Sequence, residues 1–176
     1  MQLLKAQLHV IQYDSGKITI NGIAVSKSTD KSTLEELLGS KAWSGNMAHI
    51  GDPITGDRSK QPFIYTYIFK DLGISFGWYN QPPQNLECQF VIQKSKVDQK
   101  RKNNKIVPFP GKVFIGSLLF DKNLNLKNIE TESNFKIIAT NLGTPSSSFT
   151  LISYQNTLLK CYFDTDGNLL MFGTYL

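Results

Sequence analysis

The stretch FIYTYIFKDLGISFGWY, residues 63 to 79, places seven aromatic side chains in seventeen positions. Read as extended chain, Phe63, Tyr65, Tyr67 and Phe69 fall on one face, with Ile64, Thr66 and Ile68 on the other, because side chains alternate along a strand. Lys70-Asp71-Leu72-Gly73 reads as a tight turn, after which Ile74, Phe76 and Trp78 alternate with Ser75, Gly77 and Tyr79. A stacking platform for nucleic acid needs one open face. Ile64, Ile68 and Ile74 make both faces of this hairpin apolar, so the rings are predicted to be sheet core, with neighbours covering both sides. The hairpin also lacks the basic residue, glycine and aromatic order of an RNA-recognition strand.

The pattern repeats outward from there. LECQFVIQK (86–94) supplies a third strand of a meander, after a turn at 80–85 built on Pro82-Pro83. Upstream, QLHVIQYD (7–14), KITI (17–20) and IAV (23–25) read as strands joined at Ser15-Gly16 and Asn21-Gly22, the latter a strong hairpin signal. Downstream, VFIGSLLF (113–120), FKIIA (135–139), FTLIS (149–153), LLKCYF (158–163) and LLMFGTYL (169–176) add further strands. One helix start is evident, Ser32-Thr33-Leu34-Glu35 as a capping box, with Leu34, Leu37 and Leu38 as the apolar stripe and Gly39 as the stop. Eleven Phe and seven Tyr, with Ala scarce, favour strand over helix. The expected fold is α+β: a predominantly antiparallel sheet of hairpins and meanders with one or two short helices, in a single domain over 1–176.

Three segments, QYDSGKITI, LFDKNLNLKNI and YFDTDGNLLMF, each run from an apolar residue through Asp and a polar turn into a new strand. An Asp at a turn entry accepts backbone N–H bonds two residues on. Shared turn chemistry, rather than a duplicated domain, accounts for the likeness.

Two polar insertions interrupt the pattern. Residues 40–62 contain several Gly and Pro breakers and read as a long loop, with room for a helical turn around Asn46 to His49. Residues 94–105, within an insertion ending near 107, carry Lys94, Lys96, Lys100, Arg101, Lys102 and Lys105 against Asp98 alone. That segment holds the whole net charge of +5, since the rest of the chain has 13 basic and 13 acidic residues. Its cations have no interleaved aromatic on which a base would stack, so nucleic-acid binding is an alternative reading rather than the main one.

Chemistry-bearing constellations are few. His9 and His49 are far apart, Cys88 and Cys161 are isolated, and no CxxC or HExxH occurs, so no metal site or cofactor is expected. Asp164, Asp166 and Asn168 resemble the opening of a calcium loop, but Gly167 and Tyr175 stand where such a loop needs other residues. Cys88 and Cys161 read as buried thiols of a cytoplasmic protein, with a disulfide between them as the alternative. No apolar run spans a bilayer and no signal-peptide pattern opens the chain. The one acid–base grouping, His49 with Asp52 and Asp57 and with Arg58 nearby, lacks a nucleophile motif. A small hydrolase using His49 is therefore the second alternative, and no catalytic residue is assigned. The same loop and the basic segment suit a binding role: Trp43, His49, Asp52, Asp57, Arg58, Lys100, Arg101 and Lys102 are the expected partner-binding residues.

Tyr67-Ile68-Phe69-Lys70-Asp71-Leu72-Gly73-Ile74 resembles the Y-x-W/F-D-D-L-G-I strand and turn of small bacterial immunity proteins, with Lys70 in place of the first Asp. Val113-Phe114-Ile115-Gly116-Ser117-Leu118 followed by Asp121 is similar to the strand that comes next in such proteins, and the resemblance covers roughly residues 8 to 125. It implies a protein without enzymatic activity that binds and blocks one cognate toxin, often one delivered by a type VI secretion system. The basic segment would then favour a toxin with an acidic surface.

Overall fold

The computed structural model describes residues 9–26, 28–48, 63–79, 86–95, 99, 107–142, 148–155 and 157–175. The fold is α+β with mainly antiparallel sheet. Strands β1 (Val10–Asp14), β2 (Lys17–Ile20) and β3 (Ile23–Val25) lead into helix α1 (Lys31–Leu38) and then β4 (Trp43–Ala48), β5 (Phe63–Phe69), β6 (Ile74–Tyr79) and β7 (Leu86–Val91). Strands β8 (Lys112–Ile115) and β9 (Leu118–Leu119) lead into helix α2 (Leu126–Thr131) and then β10 (Phe135–Leu142), β11 (Phe149–Tyr154), β12 (Thr157–Phe163) and β13 (Leu169–Tyr175). One sheet has the order β3-β2-β1-β8-β9; the other has the order β10-β11-β12-β13-β7-β6-β5-β4. All pairings are antiparallel except β1 with β8.

Alternation decides which residues meet. In the larger sheet Phe69, Ile74, Phe90 and Phe172 lie in one row across four strands, and all four are buried. In the smaller sheet Ile11, Tyr13, Ile18, Ile20, Val113 and Ile115 form the buried face. These faces share one core. Phe120 lies 4.8 Å from Phe172 between ring centroids, and Phe109 lies 5.8 Å from Phe90. Burying each such ring contributes about 1.5–3 kcal/mol.

The larger sheet is two four-stranded meanders, β4–β7 and β10–β13, joined where β7 pairs with β13. Each meander is preceded by a hairpin and a helix. The two units match at a constant spacing of 95 residues: Lys17–Ile20 with Lys112–Ile115, Val25 with Phe120, Asp30 with Asn125, Leu34 with Ile129. Ile18, Ile20, Val25 and Leu34 are buried, and so are their counterparts Val113, Ile115, Phe120 and Ile129. Asp30 and Asn125 both cap their helices by accepting a hydrogen bond from the backbone N–H three residues on, Thr33 and Asn128. A repeated unit is therefore present, contrary to the expectation from shared turn chemistry; it overlaps QYDSGKITI and LFDKNLNLKNI but aligns them at a different offset from the one their Asp residues suggest.

Four expectations need correction. Residues 43–48 are strand, not loop or helical turn, because β4 pairs along its whole length with β5. Helix α1 begins two residues earlier than the Ser32 box: the Asp30 carboxylate takes both the Thr33 N–H (2.8 Å) and the Ser32 hydroxyl (2.9 Å). Glu35 turns away to accept from Lys41 Nζ (2.8 Å) and from the Ala42 N–H (2.9 Å). The single strand read over 113–120 is a hairpin, broken at Gly116 with φ 58°. LFDKNLNLKNI ends in α2 instead of a strand, since Asn125 and Asn128 form a reciprocal capping box.

Candidate partner-binding face

The hairpin that looked apolar on both faces buries them unequally: one face is core, and on the other Thr66 is buried while Ile68 and Ser75 are not. Phe69 and Phe76 are buried and meet edge to face at 6.1 Å, whereas Ile68 and Ser75, which pair across β5 and β6 on the opposite face, are only half-buried. Ile74 sits with Phe69, not with Ile68. The core reading therefore holds for Phe69 and Phe76, while the expectation that neighbours cover both faces does not hold at Ile68 and Ser75. Side chains of Phe63, Tyr65, Trp78 and Tyr79 lie outside those described.

Across the outward face, register aligns Trp43 of β4, Ile68 of β5, Ser75 of β6 and Gln89 of β7. The next outward pair is Val91 with Met171 on β13. Ile68, Ser75, Gln89, Val91 and Met171, with Lys70, Asp71 and Val107, line a groove of about 540 Å³. That volume lies within the range of about 300–1,000 Å³ typical of ligand clefts. Trp43, 49% exposed, stands on the edge strand. Lys70 Nζ lies 5.5 Å from the Trp43 ring centroid. On the same sheet face Lys160 Nζ lies 4.2 Å from the Phe149 ring and 5.5 Å from Tyr162. Such cation–ring contacts contribute about 0.5–1 kcal/mol at exposed sites.

Gly73 explains why the groove has its shape. Its φ of 61° needs a residue without a Cβ, and a Cβ there would run into the Val107 carbonyl. The Gly73 carbonyl accepts from the Val91 N–H at 2.8 Å, and the Val91 carbonyl accepts from the Phe109 N–H at 2.7 Å. The KDLG turn thus seats residues 107–109 against β7 and makes Val107 a wall of the groove.

Trp43 is the one expected partner-binding residue that the structure places. His49, Asp52, Asp57, Arg58, Lys100, Arg101 and Lys102 lie outside the described residues, as does the Pro82-Pro83 turn. Cys88 and Cys161 are free buried thiols on β7 and β12, with β13 between them. Burial pushes both thiols far up, so neither serves as a nucleophile near neutral pH. In the 164–168 turn the Asp164 carboxylate accepts from the backbone N–H groups of Asp166 (2.9 Å) and Asn168 (2.8 Å), the turn chemistry expected of it. No group of three or more His, Cys, Asp or Glu poised for a metal occurs among the described residues. No helix among them is long and apolar enough to cross a membrane. The groove escaped the sequence because its walls come from four strands and a distant segment; the alternation at Ile68, Ser75 and Gln89 was its only trace.

A family model described as a domain of unknown function, DUF7738, matches residues 10–134, from β1 to the end of the segment after α2. No curated protein and no solved structure matches the chain.

Proposed function

We propose that this chain, which belongs to the DUF7738 family, is a cytoplasmic immunity protein that binds a cognate antibacterial toxin and neutralises it by steric or active-site blockade. The observation that carries the reading is an exposed Trp43, with Lys70 Nζ 5.5 Å from its ring, paired with Ile68 on the outward sheet face that carries an apolar groove. Tryptophan beside a partly desolvated apolar patch is the residue type around which protein interfaces concentrate their binding energy. The resemblance of the 67–74 segment to immunity proteins supplies the class of partner, and its KDLG turn is the element that builds the groove. The part of the resemblance that touches function is thus also the part with a structural task.

Co-expression with the product of the neighbouring reading frame tests this. Growth rescue and a stoichiometric complex are expected, with Trp43→Ala weakening the complex by about 2 kcal/mol while the circular dichroism spectrum stays unchanged. A neighbour that is harmless and forms no complex, or a complex indifferent to Trp43, would sink the reading.

A further inference from the structure

Each sheet ends in two edge strands, and an edge presents a row of unpaired backbone N–H and C=O groups that proteins blunt against stray pairing. Among the described residues three of the four edges are blunted. β3 has three residues and β9 two, too short to template another strand. β10 carries the exposed Lys136, and its register with β11 shifts on both sides of Ala139. β4 has none of these devices. Its six residues, WSGNMA, contain no charge and no proline, and all six pair with β5 without a shift. No described strand lies on its other side. Both faces are open where β4 begins. Trp43 is exposed on the outward face, and Ser44 is exposed on the core face although its row continues into the buried Phe76 and Cys88.

We propose that the free edge of β4 receives an extended segment of the protein partner as a further strand of the larger sheet, with an apolar side chain of that segment set beside Trp43. This rests on the reading of Trp43 as a partner contact and names the element of the partner that is recognised. An edge strand offers donors and acceptors in alternation along its length, and another extended peptide backbone returns both. A phosphate backbone supplies acceptors alone. The main-chain bonds give affinity, and Trp43 gives the side-chain contact. A second copy of this chain is the poorer occupant. Residues on one face must oppose one another, so a symmetric pairing of β4 with itself over most of its length centres on Gly45 or Asn46, its two weakest strand formers.

Residue-resolved amide exchange tests this on the nitrogen-15-labelled full chain, alone and in complex with the product of the neighbouring reading frame. Alternate N–H groups of an antiparallel strand point away from the paired neighbour. Within 43–48 the set bonded to β5 should be slow in both states, and the other set fast alone and about tenfold slower in the complex. Of Ser44→Pro and Gly45→Pro, one removes an N–H bonded to β5 and lowers Tm. The other removes an unpaired N–H, keeps Tm, and should weaken the complex about tenfold. A complex that needs Trp43 yet leaves all the β4 amides unchanged would overturn the strand pairing while leaving the partner face standing. No complex at all would overturn both. Slow exchange of every β4 amide in the dilute free chain would show the edge covered without a partner. Protection that grows with concentration as a dimer forms would replace the partner with a second copy.

Discussion

The turn joining β5 to β6 and the turn joining β11 to β12 occupy matching places in the two units, yet they are fastened in opposite ways. In the second unit side chains do it. Tyr154 Oη donates to Asp14 Oδ1 at 3.1 Å, Gln155 Nε2 donates to the same oxygen at 3.2 Å, and Ser15 N–H donates to Gln155 Oε1 at 3.0 Å. Tyr13 and Thr157 share a further hydrogen bond between their hydroxyls. In the first unit backbone does it, through Gly73, Val91 and Phe109. The side chains of Lys70 and Asp71 are left exposed at the groove. One copy spends its polar groups on holding the two sheets together; the other keeps them facing outward, where the proposed partner would meet them. A repeated scaffold with a shared core and one specialised surface follows from that difference.

If the two units share their core positions, matching substitutions should differ in size only as the side chains do. Phe120→Ala, which removes a ring 4.8 Å from Phe172 and 6.0 Å from Phe135, is expected to cost about 4 kcal/mol. Its counterpart Val25→Ala should cost about 2 kcal/mol. Urea unfolding measures both; equal costs would mean that the correspondence stops at topology.

The next largest effect separates backbone fastening from ordinary turns. Gly73→Ala meets both a left-handed φ and the Val107 carbonyl, so it should cost about 2 kcal/mol or more and reduce partner binding as Val107 moves. Gly22→Ala has a φ of 82° but open space around it, and should cost about 1 kcal/mol with binding untouched. A Gly73 variant as stable as wild type would remove the physical basis for the KDLG turn.

Much of this was legible from alternation alone. KITI, IAV and the 63–79 hairpin are strands with the bounds that their period implies, and the meander order of β5, β6 and β7 follows from short turns. Strand β4 was hidden because Gly45 and Asn46 are poor strand formers, and its state comes from pairing with β5. Helix α2, six residues long, is too short to display a period of 3.6. The repeat was obscured because Lys17 and Ile20 recur as Lys112 and Ile115, while Val25 returns as Phe120 and Asn21 as Gly116. Of the site, Trp43 could be named for its type, but the groove needs the sheet order that brings Met171 next to Val91.

A third difference concerns His9, which has no counterpart in the second unit because that unit contains no histidine. The ring is buried, stacks 6.5 Å from Phe109, and approaches Asn21 Nδ2 at 3.4 Å. Asn21 Nδ2 in turn donates to the Leu37 carbonyl at 3.3 Å, near the end of α1. Burial holds the His9 pKa below its ordinary value, an effect partly offset by a hydrogen bond to the Leu38 backbone. The folded state therefore prefers neutral imidazole. Its contribution to stability is complete above the unfolded pKa of about 6.5 and falls as pH drops through and below that value. His9→Gln should flatten the stability profile between pH 7 and pH 5. A wild-type profile already flat there would show that the ring is not held neutral.

The smallest effect compares the helix caps. Asn125 carries no charge, so Asn125→Ala should cost about 1 kcal/mol at any pH. Asp30 and Glu35 of α1 are carboxylates held below their usual range. The Thr33 backbone N–H and then its side chain lower Asp30; the hydrogen bond from Lys41 and then that from Ala42 lower Glu35. Depressed carboxylate pKa values stabilise the fold above the unfolded values of about 4, and this contribution is lost as pH falls through the folded ones. Amide exchange should therefore show α1 losing protection relative to α2 between pH 5 and pH 3. Asp30→Asn keeps an acceptor for the Thr33 N–H but removes the titration, so with Glu35→Gln it should abolish the difference. If α1 and α2 lose protection together in wild type, the carboxylates do not set the acid response of their helix, and the two caps are equivalent in energy as well as in place.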